Sequence, residues 1–397
     1  MIKPAASLAG NDGAPGRPQP SPRRPLIALL QTQAEGAGAQ EIMRILGAGL
    51  SARGYEVHNI FLFRRTAAFD AQPNTHFCAI ERPGSVIAVF RMLRDLVRHL
   101  RTLKPDVVLT FQHYGNLIGT AAARMTGGAV IANRTSARAL EPAWTRVLDF
   151  WFGLIGLFDH VVVNSKAVRE EYRSYPSTYR KRIVHIDHGF EPKRSEASRE
   201  EARRRFGLPL DVSLLGSVAR LHPEKNLGAA IQLLAERPGW HLAIAGQGEQ
   251  RAGLDAMAQD LQVAERVHFV GELSPKQIAL FLKSLDVFVF PSRMETFGLA
   301  AVEAAQAGIP VVASDIEVMR EVLMVDDVPC ALFVDPDDTS SFVDEVDRLL
   351  HDHELRSALI GRADTLAQRY SLEAMVDRYA ELIRAMRTGA GVLPVSA

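Results

Sequence analysis

Asp286-Val287-Phe288-Val289-Phe290 runs directly into Pro291-Ser292-Arg293-Met294-Glu295-Thr296-Phe297-Gly298-Leu299-Ala300-Ala301-Val302-Glu303-Ala304. The apolar run shows no alternation, so both of its faces are buried, as in the strands of a parallel sheet. A loop and then a helix come after it. Outward from this unit the same grammar repeats. Ser213–Val218, His241–Ala245, Arg266–Val270, Pro310–Ala313 and Ala331–Val334 read as further strands of one series. Leu26–Leu30, Glu56–Phe63, Asp106–Phe111, Ala129–Asn133, His160–Asn164 and Ile183–Ile186 form an earlier series. Helix-period segments such as Ala39–Arg53 and Ser85–Leu103 lie between them. Strands that alternate with helices imply an α/β class, with parallel sheets covered on both faces.

The charged stretch Glu191–Arg205 separates the two series. The reading is therefore two Rossmann-like, doubly wound domains, 26–190 and 191–370, facing across a cleft and joined by a linker at Gly189–Ser198. A final helical stretch, Leu372–Met386 within 371–388, could cross back to the first domain. Residues 1–25, with six prolines among Gly, Ser and Ala, read as a disordered tail, and 389–397 as a second tail.

Composition limits the functions available. At roughly 150 residues per domain, 397 residues suit two or three domains. Lys+Arg and Asp+Glu are both 46, which excludes a globally basic nucleic-acid binder. Cys78 and Cys330 form no Cys-x-x-Cys or Cys/His cluster in sequence, so neither a disulfide framework nor a thiolate zinc site is expected, and a reducing cytoplasm fits. No apolar run approaches the roughly 20 residues of a spanning helix; Phe150–Phe158 reads as a buried helix end. Arg23-Arg24 before Leu26–Leu30 is too short for an export signal.

Ligand crevices of open parallel sheets form at the carboxyl ends of the strands. After Ser213–Val218 come Ala219-Arg220-Leu221-His222-Pro223-Glu224-Lys225-Asn226. A planar guanidinium and an ammonium in one strand-end loop can straddle a diphosphate; a solvated surface loop is the plain alternative. After Asp286–Phe290, the free N–H groups of Phe297, Gly298 and Leu299 at a helix start favour an anion. With Glu295 in the loop and Glu303 two turns inside the helix, about 12 Å would separate them. That span suits two hydroxyl-bearing groups of one extended ligand; a capping and a helix-face glutamate are the alternative.

Gly216-Ser217-Val218-Ala219-Arg220-Leu221 with Glu224-Lys225-Asn226, then Gly246-Gln247-Gly248, Phe269-Val270-Gly271, Pro291-Ser292 leading to Glu295 and Glu303, and Ala307-Gly308-Ile309-Pro310-Val311-Val312-Ala313-Ser314-Asp315 together resemble the family-4 retaining glycosyltransferases of the GT-B fold. The match in order and spacing covers about 205 to 370. The resemblance implies that Arg220 and Lys225 hold the diphosphate of a UDP- or GDP-sugar, that Glu295 contacts sugar hydroxyls and that Glu303 contacts the ribose. It places the backbone from Phe297 through Gly298 to Leu299 at the distal phosphate and sugar, and Gly246 and Val270 on the nucleotide side.

In the first domain, Glu35-Gly36-Ala37-Gly38-Ala39-Gln40 stands where the family has Gly-Gly-Ala-Glu, which leaves Gly38 for backbone contact to a phosphate. Gln112-His113-Tyr114 resembles the segment carrying a strand-end His near the reacting sugar, so His113, or Tyr114 after a one-residue shift, would hold that place. Asn164-Ser165 resembles the family's Asn-Ser, and His188-Gly189 replaces its Asn-Gly. The implied chemistry is hexosyl transfer to an acceptor hydroxyl with retention, the departing diphosphate oxygen taking the acceptor's proton. No metal and no cofactor is expected. Asp335-Pro336-Asp337 reads as helix capping, and His351-Asp352-His353 has the wrong spacing for one helix face.

Val86–Lys104 sets Arg91, Arg94, Arg98, Arg101 and Lys104 against Ile87, Phe90, Leu93, Leu96, Val97 and Leu100. Either this is the solvated face of a packed helix, or it rests on anionic lipid at the inner face of a membrane. The acceptor would be a carbohydrate or a lipid-linked sugar. The rival functions are a nucleotide-sugar 2-epimerase of the same fold and a non-catalytic nucleotide-sugar-binding subunit. A dinucleotide oxidoreductase lacks its Gly-x-Gly-x-x-Gly after the first strand.

Overall fold

A computed structural model describes residues 23–35 and 38–388. The 389–397 tail, most of the 1–25 tail, and Gly36 and Ala37 lie outside the described residues.

The first seven strands are β1 (Leu26–Ala34), β2 (Glu56–Arg64), β3 (Thr75–Phe77), β4 (Val107–Phe111), β5 (Ala129–Arg134), β6 (His160–Val163) and β7 (Ile183–His185). They form one parallel sheet in the order β3-β2-β1-β4-β5-β6-β7. The second sheet, also parallel, joins β8 (Ser213–Val218), β9 (Trp240–Ala245), β10 (Val267–Gly271), β11 (Val287–Phe290), β12 (Val311–Ser314) and Leu332–Val334 in the order β10-β9-β8-β11-β12-(332–334). In each sheet the strand order reverses once, between β1 and β4 and between β8 and β11. Those two gaps are the switch points where loops leave in opposite directions and open a crevice.

Helices cover both faces. Among them are α1 (Gly38–Ala52), α2 (Val86–Leu103), α3 (His113–Arg124), α4 (Ala143–Leu154) and the short α5 (Lys166–Glu170). Ile27, Leu29, Phe61, Leu109 and Phe111 pack one face of the first sheet against α1, and Ile60, Val108 and Val161 pack the other against α2 and α3. The last helix, Leu372–Thr388, leaves the second unit and buries Met375, Val376, Tyr379, Leu382 and Ile383 in the first core. Tyr379 Oη donates to Asn133 Oδ1 at 2.6 Å, and Arg53 Nε to Asp377 Oδ1 at 2.7 Å.

Several expectations need correction. β1 runs on to Ala34 rather than stopping at Leu30, because Gln31 is buried and its register with β2 continues to Arg64. Edge strand β3 and the hairpin Met324–Val325/Val328–Pro329 carry too short a pattern to be read from sequence. Phe150–Phe158 is not a buried end as a whole: Phe158 is fully buried, but Trp151 and Ile155 are 52% and 65% exposed. On α2 the buried residues are Met92, Leu96 and Leu100, whereas Ile87 and Phe90 face solvent. The linker is also well tied. Phe190 bridges Ser371, and a side chain on Gly189 would meet the Ser371 carbonyl at 2.3 Å.

Candidate active site

Loops from both switch points meet at one place. A Cβ on Gly38, the first residue of α1, would come within 3.4 Å of Leu299 Cδ1, at the start of helix Leu299–Gln306 in the other unit. The loop after β1 therefore faces the helix after β11. Gln112 and His113, at the end of β4, line the other side of the first switch point.

On the second unit, Arg220 and Lys225 both leave the loop after β8. Lys225 Nζ donates to Glu295 Oε1 at 2.6 Å, with the two side chains 16% and 10% exposed. The loops flanking the switch point thus exchange a nearly buried ion pair. The Arg220 guanidinium is half exposed and makes one long contact, 3.4 Å, to Glu224 Oε1. It is a cation held loosely at the mouth of the crevice.

Glu303 lies one turn, not two, inside its helix, because the helix begins at Leu299 after Gly298 caps it at φ +78°. A side chain at Gly298 would strike Met319 Sδ at 2.6 Å, so the tight turn needs glycine there. Glu303 is almost fully buried and pairs with Lys193 from the linker. Burial pushes its carboxyl up, and the Lys193 charge pulls it back. The Phe297 side chain is core, packed among His188, Phe190 and Tyr370. Leu299, in contrast, is partly exposed toward the facing loop.

Gly246 directly follows β9. It holds φ +138°, a Cβ there would lie 1.9 Å from the Ala219 carbonyl, and its N–H donates to Gly271 O at 2.8 Å. Glycine is needed so that the β9 loop can pack on the β8 loop. Val270 is half buried beside it on β10.

His113 opens α3 after Gln112, which holds φ +62°. Its Nδ1 is buried without a partner, and burial first, then the Arg134 charge, hold its pKa below the ordinary value. The Tyr114 ring lies 4.1 Å from that of His113. Behind them, Arg134 pairs with buried Asp149 and donates to Tyr179 Oη at 3.1 Å, while Tyr179 Oη donates to Asp149 Oδ2 at 3.0 Å. Glu141 nearby is pushed up to about 7 by burial.

Sequence reasoning singled out Asn164-Ser165 and His188-Gly189 but missed Thr296 and Glu321, the partners that tie the two units. Asn164 Nδ2 donates to His188 Nε2 at 2.9 Å and to Thr296 Oγ1 at 3.3 Å. His188 is fully enclosed, and burial lowers its pKa to about 4. Glu321 accepts from the Lys166 and Ala167 N–H groups at 2.7 and 2.9 Å, so a carboxylate of the second unit caps α5 of the first. Asn164-Ser165 and His188-Gly189 were the only sequence signals for this seam, and Ser165 indeed N-caps α5.

Asp335-Pro336-Asp337 is not the capping group expected. Asp338 caps the next helix, Asp335 Oδ1 accepts from Asp337 N at 2.9 Å, and Asp337 pairs with Arg293. His351 and His353 lie on two successive helices that meet at Asp352. His76, Cys78 and Asp95 converge, with His76 Nε2 2.6 Å from Asp95 Oδ2. The end of edge strand β3 and helix α2 bring them together, and burial with the Asp95 charge pushes the Cys78 thiol up to about 12.

Two parallel α/β units with their switch points face to face make a GT-B molecule, and solved structures similar to it share that fold. HepE of Anabaena, determined in complex with UDP and glucose, superposes with a TM-score of 0.79 at 16% identity, over 91% of this chain and all of that one. Sucrose-phosphate synthase of Thermosynechococcus elongatus gives 0.76 at 21%, over 92% of this chain and all of that one. The model of "Glycosyl transferases group 1" matches residues 198–365 and that of "Glycosyltransferase Family 4" residues 36–194, so the chain belongs to this glycosyltransferase family. Curated relatives include a D-inositol 3-phosphate glycosyltransferase of Corynebacterium urealyticum, 29% identical over 58% of this chain and 57% of the relative. Another is the lipopolysaccharide core biosynthesis glycosyltransferase LpsE of Rhizobium meliloti, 32% identical over 46% and 52%. The chain thus spans little more than half the length of these relatives.

Proposed function

We propose that this protein transfers a hexosyl group from a UDP- or GDP-sugar to an acceptor hydroxyl with retention of configuration, in the biosynthesis of a surface glycan or glycolipid. The observation that carries the reading is the Lys225–Glu295 pair across the second switch point, with Arg220 beside it and Gly38 and His113 on the facing loops.

Bond breaking at the anomeric carbon leaves negative charge on the diphosphate. Arg220, Lys225 and the free N–H groups that start helix Leu299–Gln306 stabilise that charge where it grows. The leaving oxygen takes the proton of the attacking hydroxyl on the same face of the sugar. Glu295, acting through its hydroxyl contacts, orients the hexose and also steers the Lys225 ammonium. Glu303 holds the ribose. Neutral His113 reaches the sugar from the first unit, and closure of the units excludes water. The side-chain cations take the place of a metal ion. The D-inositol 3-phosphate glycosyltransferase and the lipopolysaccharide core glycosyltransferase among the relatives and the UDP-glucose complex of HepE support this substrate class. The acceptor is a carbohydrate or lipid-linked sugar, and α2 is the contact with an anionic membrane at its cytoplasmic face. Among the described residues no helix is long and apolar enough to cross a membrane.

Incubation with a panel of mass-tagged nucleotide sugars, scored for transfer and for acceptor-free hydrolysis, tests the reading. Arg220→Ala should lower turnover by roughly 10²- to 10³-fold with thermal unfolding unchanged. Lys225→Ala should lower turnover as much but also lower the unfolding midpoint, because it leaves nearly buried Glu295 unpaired. Chelator should leave the rate intact. Full activity in both variants overturns the diphosphate assignment. Isomerised donor without acceptor would mean an epimerase instead, and donor binding without turnover a binding subunit.

A further inference from the structure

Helix α4 is built inside out. Its buried positions are Thr145, Asp149 and Gly153, one small or polar face at four-residue spacing. Gly153 lets the helix settle on the Tyr179 ring, where a Cβ would lie at 2.0 Å, and Asp149 is consumed by Arg134. The opposite face carries Trp144, Val147, Leu148 and Trp151, continued by Ile155 just past the helix end, from 41% to 65% exposed. No charged residue stands at an exposed position of α4. A helix in water normally shows the reverse arrangement.

The stripe has a neighbour of the same kind. α2 and α4 both pack against α3 in the layer that covers one face of the first sheet. The first turns of α2 expose Val86, Ile87 and Phe90 at 86%, 65% and 67%, with Ile80 at 65% just before them. Further along α2, Arg91, Arg94, Arg98 and Arg101 are exposed. Arg98 is partly neutralised by Asp95 at 2.5 Å, and Glu81 is the exposed acid nearby. Thus most of the large apolar side chains exposed among the described residues gather on this one layer, beside a cationic row.

We propose that α4 and the start of α2 form a single docking face for an anionic phospholipid bilayer. Trp144 and Trp151 enter the headgroup boundary, where indole rings are favoured, and the α2 arginines meet lipid phosphates. Such pairing of an apolar ridge with flanking cations suits a charged lipid surface better than a second copy of this chain, whose own arginines would oppose these. The Trp144 ring lies 5.9 Å from that of Tyr114, itself next to His113. The ridge therefore begins at the first unit's side of the cleft, and an acceptor anchored in the bilayer would enter there. Only that last step rests on the transferase reading.

The full chain supplies its own reporter, since the third tryptophan, Trp240, is buried in the second unit. Vesicles of phosphatidylcholine with about one-third phosphatidylglycerol should sediment the protein and shift its tryptophan emission to the blue. Phosphatidylcholine alone, or salt raised well above the physiological range, should release it. Trp144→Ser with Trp151→Ser should lower vesicle partitioning about tenfold or more while thermal unfolding stays as in the parent. The proposal is overturned if emission and sedimentation ignore anionic vesicles, if the double variant binds like the parent, or if sedimentation equilibrium shows a dimer that the double variant abolishes. UDP binding measured by calorimetry on the same samples separates the two readings: vesicle binding without nucleotide binding keeps the docking face and sinks the donor assignment.

Discussion

Glu303 and Lys193 show how a ligand contact and a structural contact can share a side chain. Glu303 is buried with one cation as partner, and truncating it leaves the nearly buried Lys193 ammonium without that partner. Glu303→Ala should therefore cost about 3–5 kcal/mol of stability as well as donor affinity. Glu303→Gln should be far milder in a denaturant titration yet still weaken donor binding by calorimetry; unchanged affinity would remove Glu303 from the ribose. His188 gives a pH dependence whose sign follows from burial. Its folded pKa is lowered to about 4, against roughly 6.5 in the unfolded chain, so between those values the unfolded state binds the extra proton. Stability contributed by neutral His188 is complete above the unfolded value and is lost as the pH falls toward the folded one. From about pH 7 to about pH 5 the loss should be on the order of 2 kcal/mol, and His188→Asn should remove that slope from urea unfolding curves.

At the scale of elements, the tight contact is between α1 and the last helix. A Cβ on Gly49 would lie 2.5 Å from Val376 Cγ2, so the two helices touch where glycine leaves room. Gly49→Ala should cost about 1–3 kcal/mol by overpacking, read as a lowered midpoint in thermal unfolding with little change in donor binding. Strand and helix boundaries in sequence were best where the pattern was long. β8 and β11 with the loops after them were legible because a continuous apolar run ends abruptly in polar and glycine residues. β3 was not, since three residues on an edge carry no periodic signal. α4 misled for a physical reason: its buried face is Thr145, Asp149 and Gly153, so hydrophobicity marks the wrong side of the helix.

Across the whole molecule, the two units are held by the last helix, packed into the first core, and by polar contacts that sequence order does not suggest. Glu321 caps α5 from the other unit through two backbone N–H groups, and charge-assisted bonds of this kind contribute roughly 1.5–3 kcal/mol each at most. Glu321→Gln should keep both folds but loosen the seam, seen as faster hydrogen exchange at Lys166 and Ala167; unchanged exchange would mean the seam is held elsewhere. The sequence by itself determined that there are two parallel α/β units and which strand-end loops of the second one carry cations and carboxylates, because burial and turn chemistry are written in local periodicity. Only the tertiary structure decided that Lys225 meets Glu295, that Lys193 meets Glu303, that Cys78 joins His76 and Asp95, and that α4 turns its tryptophans outward. Each of these depends on which surfaces are brought together across tens of residues, and a one-dimensional pattern of polarity holds no record of a partner.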